Sequence, residues 1–207
     1  MLNTKYQSLS NAVASYSFVD IASGTGYITL YAGLTEDLKV LSNTEFYSHT
    51  IYSEETAATT SFTKEMDCDF DVLINRPTYL KGTCIVNLPT KFIIGNGAYA
   101  GSVYHKIIIR KWDGTTETDI ISHTLDTTTG NSETIYKMNA VGLVLPLTLF
   151  KVGDTLRITI EGWGKVVTAG GTPLTVGIAH DPKGRATDWD ATVPSIFTVQ
   201  IPVRVDV

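Results

Sequence analysis

The stretch Glu65-Met-Asp-Cys-Asp-Phe-Asp-Val72 decides the fold class, because its polar and apolar residues alternate strictly. One side of the stretch holds Glu65, Asp67, Asp69 and Asp71, and the other side holds Met66, Cys68, Phe70 and Val72. A side-chain period of two is typical of a β-strand with one face in the core. The pattern therefore predicts a half-buried strand with Cys68 pointing inward.

The same alternation returns in three other segments. They are Val103–Trp112, Leu156–Glu161 and Val199–Val207. After the first of them, Asp113-Gly114 predicts a tight hairpin turn into a partner strand, Glu117–Leu125. Pro202 in the last segment has no N–H to donate. It indicates either an edge strand or a position whose N–H faces away from the neighbouring strand.

Strand-like segments separated by Gly, Asp, Asn and Pro fill most of the chain, and only Ser53–Thr60 has a helix-friendly composition. That segment is too short for an independent helix. We predict an all-β fold: a two-sheet antiparallel sandwich of jelly-roll type with about ten to twelve strands and little or no helix. Residues 14–207 form one domain in this prediction. Residues 1–13 form a polar N-terminal arm that either frays or reaches a neighbouring subunit.

The composition limits the classes of partner. The chain has 207 residues, a formal net charge of −5 and a pI of about 5.3, with no cluster of Lys and Arg. Nucleic acids and anionic membrane surfaces attract basic surfaces, so neither is predicted as a partner. The sequence has no apolar run of about 18 residues that could span a membrane. It also begins without the apolar core of a signal peptide, so we expect synthesis in a cytoplasm without export.

The cysteines and the acidic residues do not predict a metal site. Cys68 and Cys84 fit no CxxC metal or redox motif. Two buried thiols is the favoured interpretation, and a disulfide between neighbouring strands is the alternative. The carboxylates of residues 65–71 could suggest calcium, but alternate residues of one strand lie about 6.6–6.8 Å apart and do not converge. We predict a solvated acidic face, no metal and no cofactor.

The loop from His180 to Asp190 is the stretch richest in reactive side chains. No G-x-S-x-G motif and no paired-histidine spacing occurs in the chain, so we predict that the protein is not an enzyme. The candidate residues for binding or subunit contact are His180, Asp181, Arg185, Asp188, Trp189 and Asp190. Aromatic, carboxylate and guanidinium groups together can bind a sugar or a protein neighbour, and sandwich loops often hold such sites. A self-contained structural turn is the other interpretation of this loop, and it is the favoured one.

Four stretches considered together resemble a known group of proteins. They are Asp20–Tyr27, Phe150–Arg157 with Glu161-Gly-Trp163, His180-Asp-Pro182 and Ile201–Asp206. The set is similar to uncharacterised virion structural proteins of tailed viruses (bacteriophages) from environmental, largely marine, sequences. The resemblance covers most of the chain, and because its motifs are structural it assigns no functional residue.

The resemblance implies a capsid decoration or minor capsid protein that is located in the virion and made in the host cytoplasm. Its implied partners are copies of itself, as a homo-oligomer with a trimer favoured, and other capsid proteins. The alternative is a glycan-binding module or a tail receptor-binding protein, which the composition of the 180–190 loop also permits.

Overall fold

The computed structural model describes residues 14–15, 25–94, 100–131, 133–167, 173–185, 189 and 192–204. These residues form β-strands and no helix, so the predicted all-β class is confirmed. None of them belongs to a helix long and apolar enough to cross a membrane. The predicted arm over residues 1–13 lies outside the described residues, as do Asp188 and Asp190 of the candidate loop.

The described strands are β1 (Ala14–Ser15), β2 (Thr25–Thr35), β3 (Leu38–Ser42), β4 (Tyr52–Ala57), β5 (Thr63–Leu73), β6 (Thr78–Ile94), β7 (Ala100–Trp112), β8 (Glu117–Thr124), β9 (Thr128–Asn131), β10 (Thr134–Phe150), β11 (Thr155–Val166), β12 (Leu174–Ala179) and β13 (Thr198–Arg204). The helix-friendly residues near Glu54 belong to strand β4, because β4 pairs with β12 along its full length. Tertiary pairing therefore overrides the local propensity there.

The strands form one hydrogen-bonded path that folds over into two layers. In the first layer, β12 and β13 share one side of β6, where they pair with residues 90–94 and 80–87. β4 adds to β12, and β2 and then β3 follow β13. The second layer has the order β5-β11-β7-β8. A single parallel bridge between Val40 and Asp71 joins the layers, and the other pairings are antiparallel. β1 adds to β2, β9 adds to β7, and β10 adds to β6. The result is the predicted two-layer sandwich of jelly-roll type.

The core lies between the two layers. Phe70 of β5 packs edge-on against Phe197, which precedes β13, with ring centroids 5.3 Å apart. Cys68 and Cys84 are both buried and free, so the favoured interpretation of two buried thiols is confirmed. Burial raises the pKa of the Cys84 thiol to about 12, which keeps it protonated and unreactive at neutral pH.

The hairpin between β7 and β8 forms where the sequence predicted it. Gly114 adopts a φ of 94°, a conformation that favours glycine. The Asp113 carboxylate accepts hydrogen bonds from the backbone N–H groups of Thr116 and Thr115 at 2.8 and 2.9 Å. These bonds hold the pKa of Asp113 at about 2. The aspartate therefore closes the turn as an ionised acceptor.

β13 is an internal strand, so the edge-strand interpretation of Pro202 is wrong. The other interpretation holds, in which the position of Pro202 needs no N–H to pair with the neighbouring strand. β13 pairs with β2 on one side and with β6 on the other. Its register with β6 shifts between Gln200 and Val203, and Pro202 lies in that interruption. Facing it, Gly82 adopts a φ of 120°. Proline is tolerated at this position because the interrupted pairing requires no N–H donor.

Candidate functional site

The first part of the candidate loop folds back on itself. His180 and Asp181 are fully buried. The Asp181 carboxylate accepts hydrogen bonds from the backbone N–H groups of Lys183 and Arg185 and, at 3.0 Å, from the Arg185 guanidinium. The same guanidinium donates to the Ser48 carbonyl at 2.8 Å. These bonds hold the loop against the segment before β4 and enclose the side chains of His180 and Asp181.

The His180 ring makes a structural contact with the core. Its Nε2 lies 2.9 Å from the Ser53 hydroxyl, and its ring lies 5.5 Å from the ring of Phe70. Burial lowers the pKa of His180 to about 4, so the ring is neutral at pH 7. Its Nδ1 has no hydrogen-bond partner among the described residues. Among the described residues, no group therefore orients the His180–Ser53 pair in the way that the third member of a catalytic triad does.

Trp189 belongs to a cluster on the outer face of the first layer. Lys91 of β6 is 8% exposed, and its ammonium group pairs with the Glu54 carboxylate. The ammonium nitrogen lies 5.3 Å from the ring centroid of Tyr52 and 5.7 Å from those of Tyr136 and Trp189. Distances below about 6 Å allow cation–π attraction. We call these five residues the Lys91 cluster.

Gly177 of β12 makes room for the Lys91 cluster. A Cβ at this position would lie 2.9 Å from Cγ of Glu54 and 3.6 Å from Cβ of Lys91. Trp189 is itself buried and packs edge-on against Tyr136, with centroids 5.0 Å apart. The cluster therefore holds the loop on the sheet. In this position Trp189 is not accessible to a ligand.

Among the described residues of the candidate loop, the charged side chains of Lys183 and Arg185 remain exposed. Both lie beside the aromatic ring of Tyr47. Tyr47 is 73% exposed. The Arg185 guanidinium carbon lies 5.1 Å and the Lys183 ammonium nitrogen 5.9 Å from the Tyr47 ring centroid. Lys183 also pairs with Glu45 at 3.0 Å. We call Tyr47, Lys183 and Arg185 the Tyr47 platform. Ligand binding by this loop stays a prediction, and the platform is the surface where a ligand would bind.

The acidic face of β5 is ion-paired rather than simply solvated, which corrects the sequence-based expectation. Arg157 of β11 donates two hydrogen bonds to the Asp71 carboxylate, both 2.8 Å long. It also lies 3.1 Å from Asp69 and 2.9 Å from Glu117. The hydrogen bonds to Asp71 raise the pKa of Arg157. Within the described part of the chain, no group of three His, Cys, Asp or Glu residues could hold a metal ion.

Replacing Arg157 with methionine is expected to lower the free energy of unfolding by about 1–2 kcal/mol, since Asp69 and Asp71 then lose the cation that pairs with them. Glu117 keeps its second partner, Arg110, at 3.1 Å. All three carboxylates are partly exposed, so solvent limits the effect. Urea denaturation measures it, and the loss should shrink in about 1 M salt. The matched control is Arg76→Met, at an exposed arginine with no ion pair among the described residues. Equal losses in the two variants would contradict the role of Arg157.

β10 forms one edge of the first layer along its full length of 17 residues, because it pairs with β6 alone among the described strands. No charged residue occurs from Met138 to Phe150. Val144 is 69% exposed and Leu147 is 56% exposed. Natural sheets usually protect a free edge with charges, short strands or a covering segment. We call strand β10 with these solvent-facing side chains the β10 edge; it is a surface suited to protein contact.

The class that these features define is an all-β sandwich domain of jelly-roll type with a long edge strand, β10, that only one described strand pairs with. No protein-family model and no curated protein matches the sequence. The similar solved structures include an aminopeptidase from a marine sediment archaeon, Thaumarchaeota archaeon, with a TM-score of 0.55 and 10% identity. They also include a CocE/NonD family hydrolase from Staphylococcus aureus, with a TM-score of 0.52 and 13% identity.

The alignment covers 88% of this chain with the aminopeptidase and 87% with the hydrolase. This chain spans only 37% of the length of each of those two proteins. At such identities the likeness shows the fold alone. A structure of the infectious bursal disease virus Gx strain aligns with 84% of this chain and 42% of its own, at a TM-score of 0.30 and 8% identity. A score that low supports no inference about this chain.

Proposed function

We propose that this protein is a non-enzymatic structural component of a tailed-virus particle, acting as a capsid decoration or minor capsid protein. The β10 edge is the observation that carries the proposal. From Met138 to Phe150 this edge strand carries no charge, and no second described strand pairs with its outer N–H and C=O groups. It therefore offers backbone groups and apolar side chains such as Val144 and Leu147 to a neighbouring subunit. The sequence resemblance to virion structural proteins of tailed viruses supports the same role.

The proposed partners are other copies of the chain and other capsid proteins. A closed oligomer, with a trimer favoured, would cover the free edges and stop further growth. The register shift between Leu145 and Thr148, next to Pro146, interrupts the strand near its end. Main-chain pairing with a neighbour should therefore involve the regular part of β10 before Pro146, because proline cannot donate a hydrogen bond. Leu147 would contact the neighbour through its side chain.

Introducing lysine at the β10 edge is expected to weaken self-association by about tenfold or more, which corresponds to about 1.4 kcal/mol. The double variant Val144→Lys/Leu147→Lys places two charges where apolar side chains would be buried. Val167→Lys is the matched control, because Val167 is 62% exposed and follows β11 rather than belonging to β10.

Sedimentation velocity over a range of concentrations measures this association. We expect the wild-type chain and the Val167→Lys control to be oligomeric and the double variant to be monomeric under the same conditions. A wild-type chain that stays monomeric throughout, or a double variant that associates like the control, would contradict the proposed use of this edge.

A second candidate function is glycan or receptor binding, and the Tyr47 platform is the observation that favours it. An exposed aromatic ring can stack on a sugar ring, and the two cations beside it can pair with an acidic substituent of that sugar. A glycan array with the wild-type chain and a Tyr47→Ala variant tests this function. Binding that disappears in the variant supports it, and an array without any hits rejects it.

A further inference from the structure

A cavity of about 400 Å³ opens between the two layers at one end of the sandwich. Its walls come from β2, β3, β6 and β13 of the first layer and from β5 and β11 of the second. The deepest lining residues are Leu30, Leu41, Leu80, Leu156 and Ile201, all of them buried. The cavity therefore reaches the core between the layers. Protein interiors are normally packed without voids of this size, whereas ligand pockets occupy about 300–1,000 Å³.

The described residues of the inner wall of the cavity are aliphatic. None of the described residues around the cavity is aromatic, acidic or basic. A charged group placed inside would lose its hydration without gaining a partner, so the walls select against ions. An aliphatic chain would instead gain dispersion contacts with leucine and isoleucine side chains on both layers.

The mouth of the cavity carries neutral polar side chains. They are Ser42, Asn43, Asn75 and Thr78. The exposed Asn43 and Asn75 have side-chain amides that make no hydrogen bond to any described residue. A primary amide can both donate and accept, so it suits a hydroxyl or ester group and gives a carboxylate no compensating charge.

We infer that this cavity binds a small aliphatic ligand with an uncharged hydrogen-bonding end, in the chemical class of medium-chain alcohols and monoacylglycerols. The aliphatic part lies between the layers, and the polar end meets the amides of Asn43 and Asn75. The inference does not rest on the proposed role in a virus particle, because the β10 edge lies outside the cavity lining. Self-association and ligand binding can therefore fail separately.

The neutral fluorophore N-phenyl-1-naphthylamine is the probe for the test, since it becomes bright in apolar surroundings. The wild-type chain should bind it at one saturable site, and 1-decanol and monodecanoin should displace it. Decanoate should displace it at least about tenfold less well, because no described residue of the lining offers its carboxylate a cation. Equal competition by decanoate and decanol would overturn the assignment of an uncharged ligand.

Filling the cavity should remove the binding. Ile74 is a half-buried wall residue, so Ile74→Trp places a large ring into the space. We expect probe affinity to fall by about tenfold or more in this variant. Val167→Trp adds the same ring at an exposed position away from the cavity and should leave the affinity unchanged.

A second variant keeps the test decisive if Ile74→Trp does not fold. Asn75 is exposed, so Asn75→Cys should fold, and an uncharged bulky maleimide attached there blocks the mouth. Cys68 and Cys84 are buried and their thiol pKa values are raised by burial, so the label goes to the introduced residue. Binding should be lost after labelling and kept before it. No saturable binding by the wild-type chain, or undiminished binding after labelling, overturns the inference.

Discussion

Replacing Lys91 with methionine is expected to lower the free energy of unfolding by about 2–4 kcal/mol, because removing one partner of a largely buried ion pair leaves the other charge uncompensated. The Glu54 carboxylate then faces the aromatic rings of the Lys91 cluster without a cation. The cation–π contacts with Tyr52, Tyr136 and Trp189 are lost as well. Methionine keeps most of the volume of the lysine stem, so the change reports mainly on the charge.

Two further variants separate the ion pair from general effects of the substitution. Lys81→Met changes an exposed lysine on the same strand and should alter stability by less than about 0.5 kcal/mol. Lys91→Met/Glu54→Gln removes both charges and should recover part of the loss. Urea denaturation measures all three variants. A loss in Lys91→Met no larger than that in Lys81→Met would show that the Lys91 cluster does not hold the loop on the sheet.

Acidification from pH 7 to pH 4 is expected to destabilise the fold by up to about 3 kcal/mol for each of two buried histidines, His105 and His180. Burial lowers the pKa of both rings from 6.5 to about 4. As the pH falls below 6.5, the unfolded chain takes up these protons before the folded chain does. The stability that the neutral rings provide is therefore full above pH 6.5 and is lost progressively towards pH 4.

The slope of stability against pH identifies the groups responsible. His105→Gln and His180→Gln should each flatten the slope of stability against pH between pH 6.5 and 4. This holds whatever each substitution does to the free energy of unfolding at pH 7. His123→Gln, at an exposed histidine, is the control and should leave the slope unchanged. Asp113 and Asp154 have lowered pKa values, so their contributions are lost only at a lower pH. Stability that does not change between pH 6.5 and 4 in the wild-type chain would contradict the assignment.

The sequence predicted the elements whose pattern is local. The alternation of residues 65–72 corresponds to β5, the Asp113-Gly114 turn joins β7 to β8, and the alternating C-terminal segment contains β13. Apolar residues at alternate positions of β5 and β13 lie in the core, so the side-chain period of these strands is visible in the sequence itself. The turn is visible in its Asp-Gly dipeptide. The same alternation placed Cys68 inward correctly.

The contacts between distant segments could not be predicted, because no motif joins them. Lys91, Glu54 and Trp189 lie in β6, in β4 and in a loop, and only the sheet order brings them together. Arg157 lies across from Asp71 through the β11–β5 register, which the composition of β5 alone does not reveal. The loop after β12 has the residue types of a binding site, yet His180 and Asp181 are buried. Residue types identified this loop, but they did not indicate which side chains face solvent.

Quantifying the chain by mass spectrometry in density-gradient-purified virus particles from its native source tests the central proposal most directly. The proposed role predicts that the chain co-purifies with the particles in a fixed ratio to the major capsid protein. It also predicts that the chain remains bound after a salt wash that removes adsorbed proteins. A chain that is abundant in the lysate but absent from the purified particles would contradict the proposal.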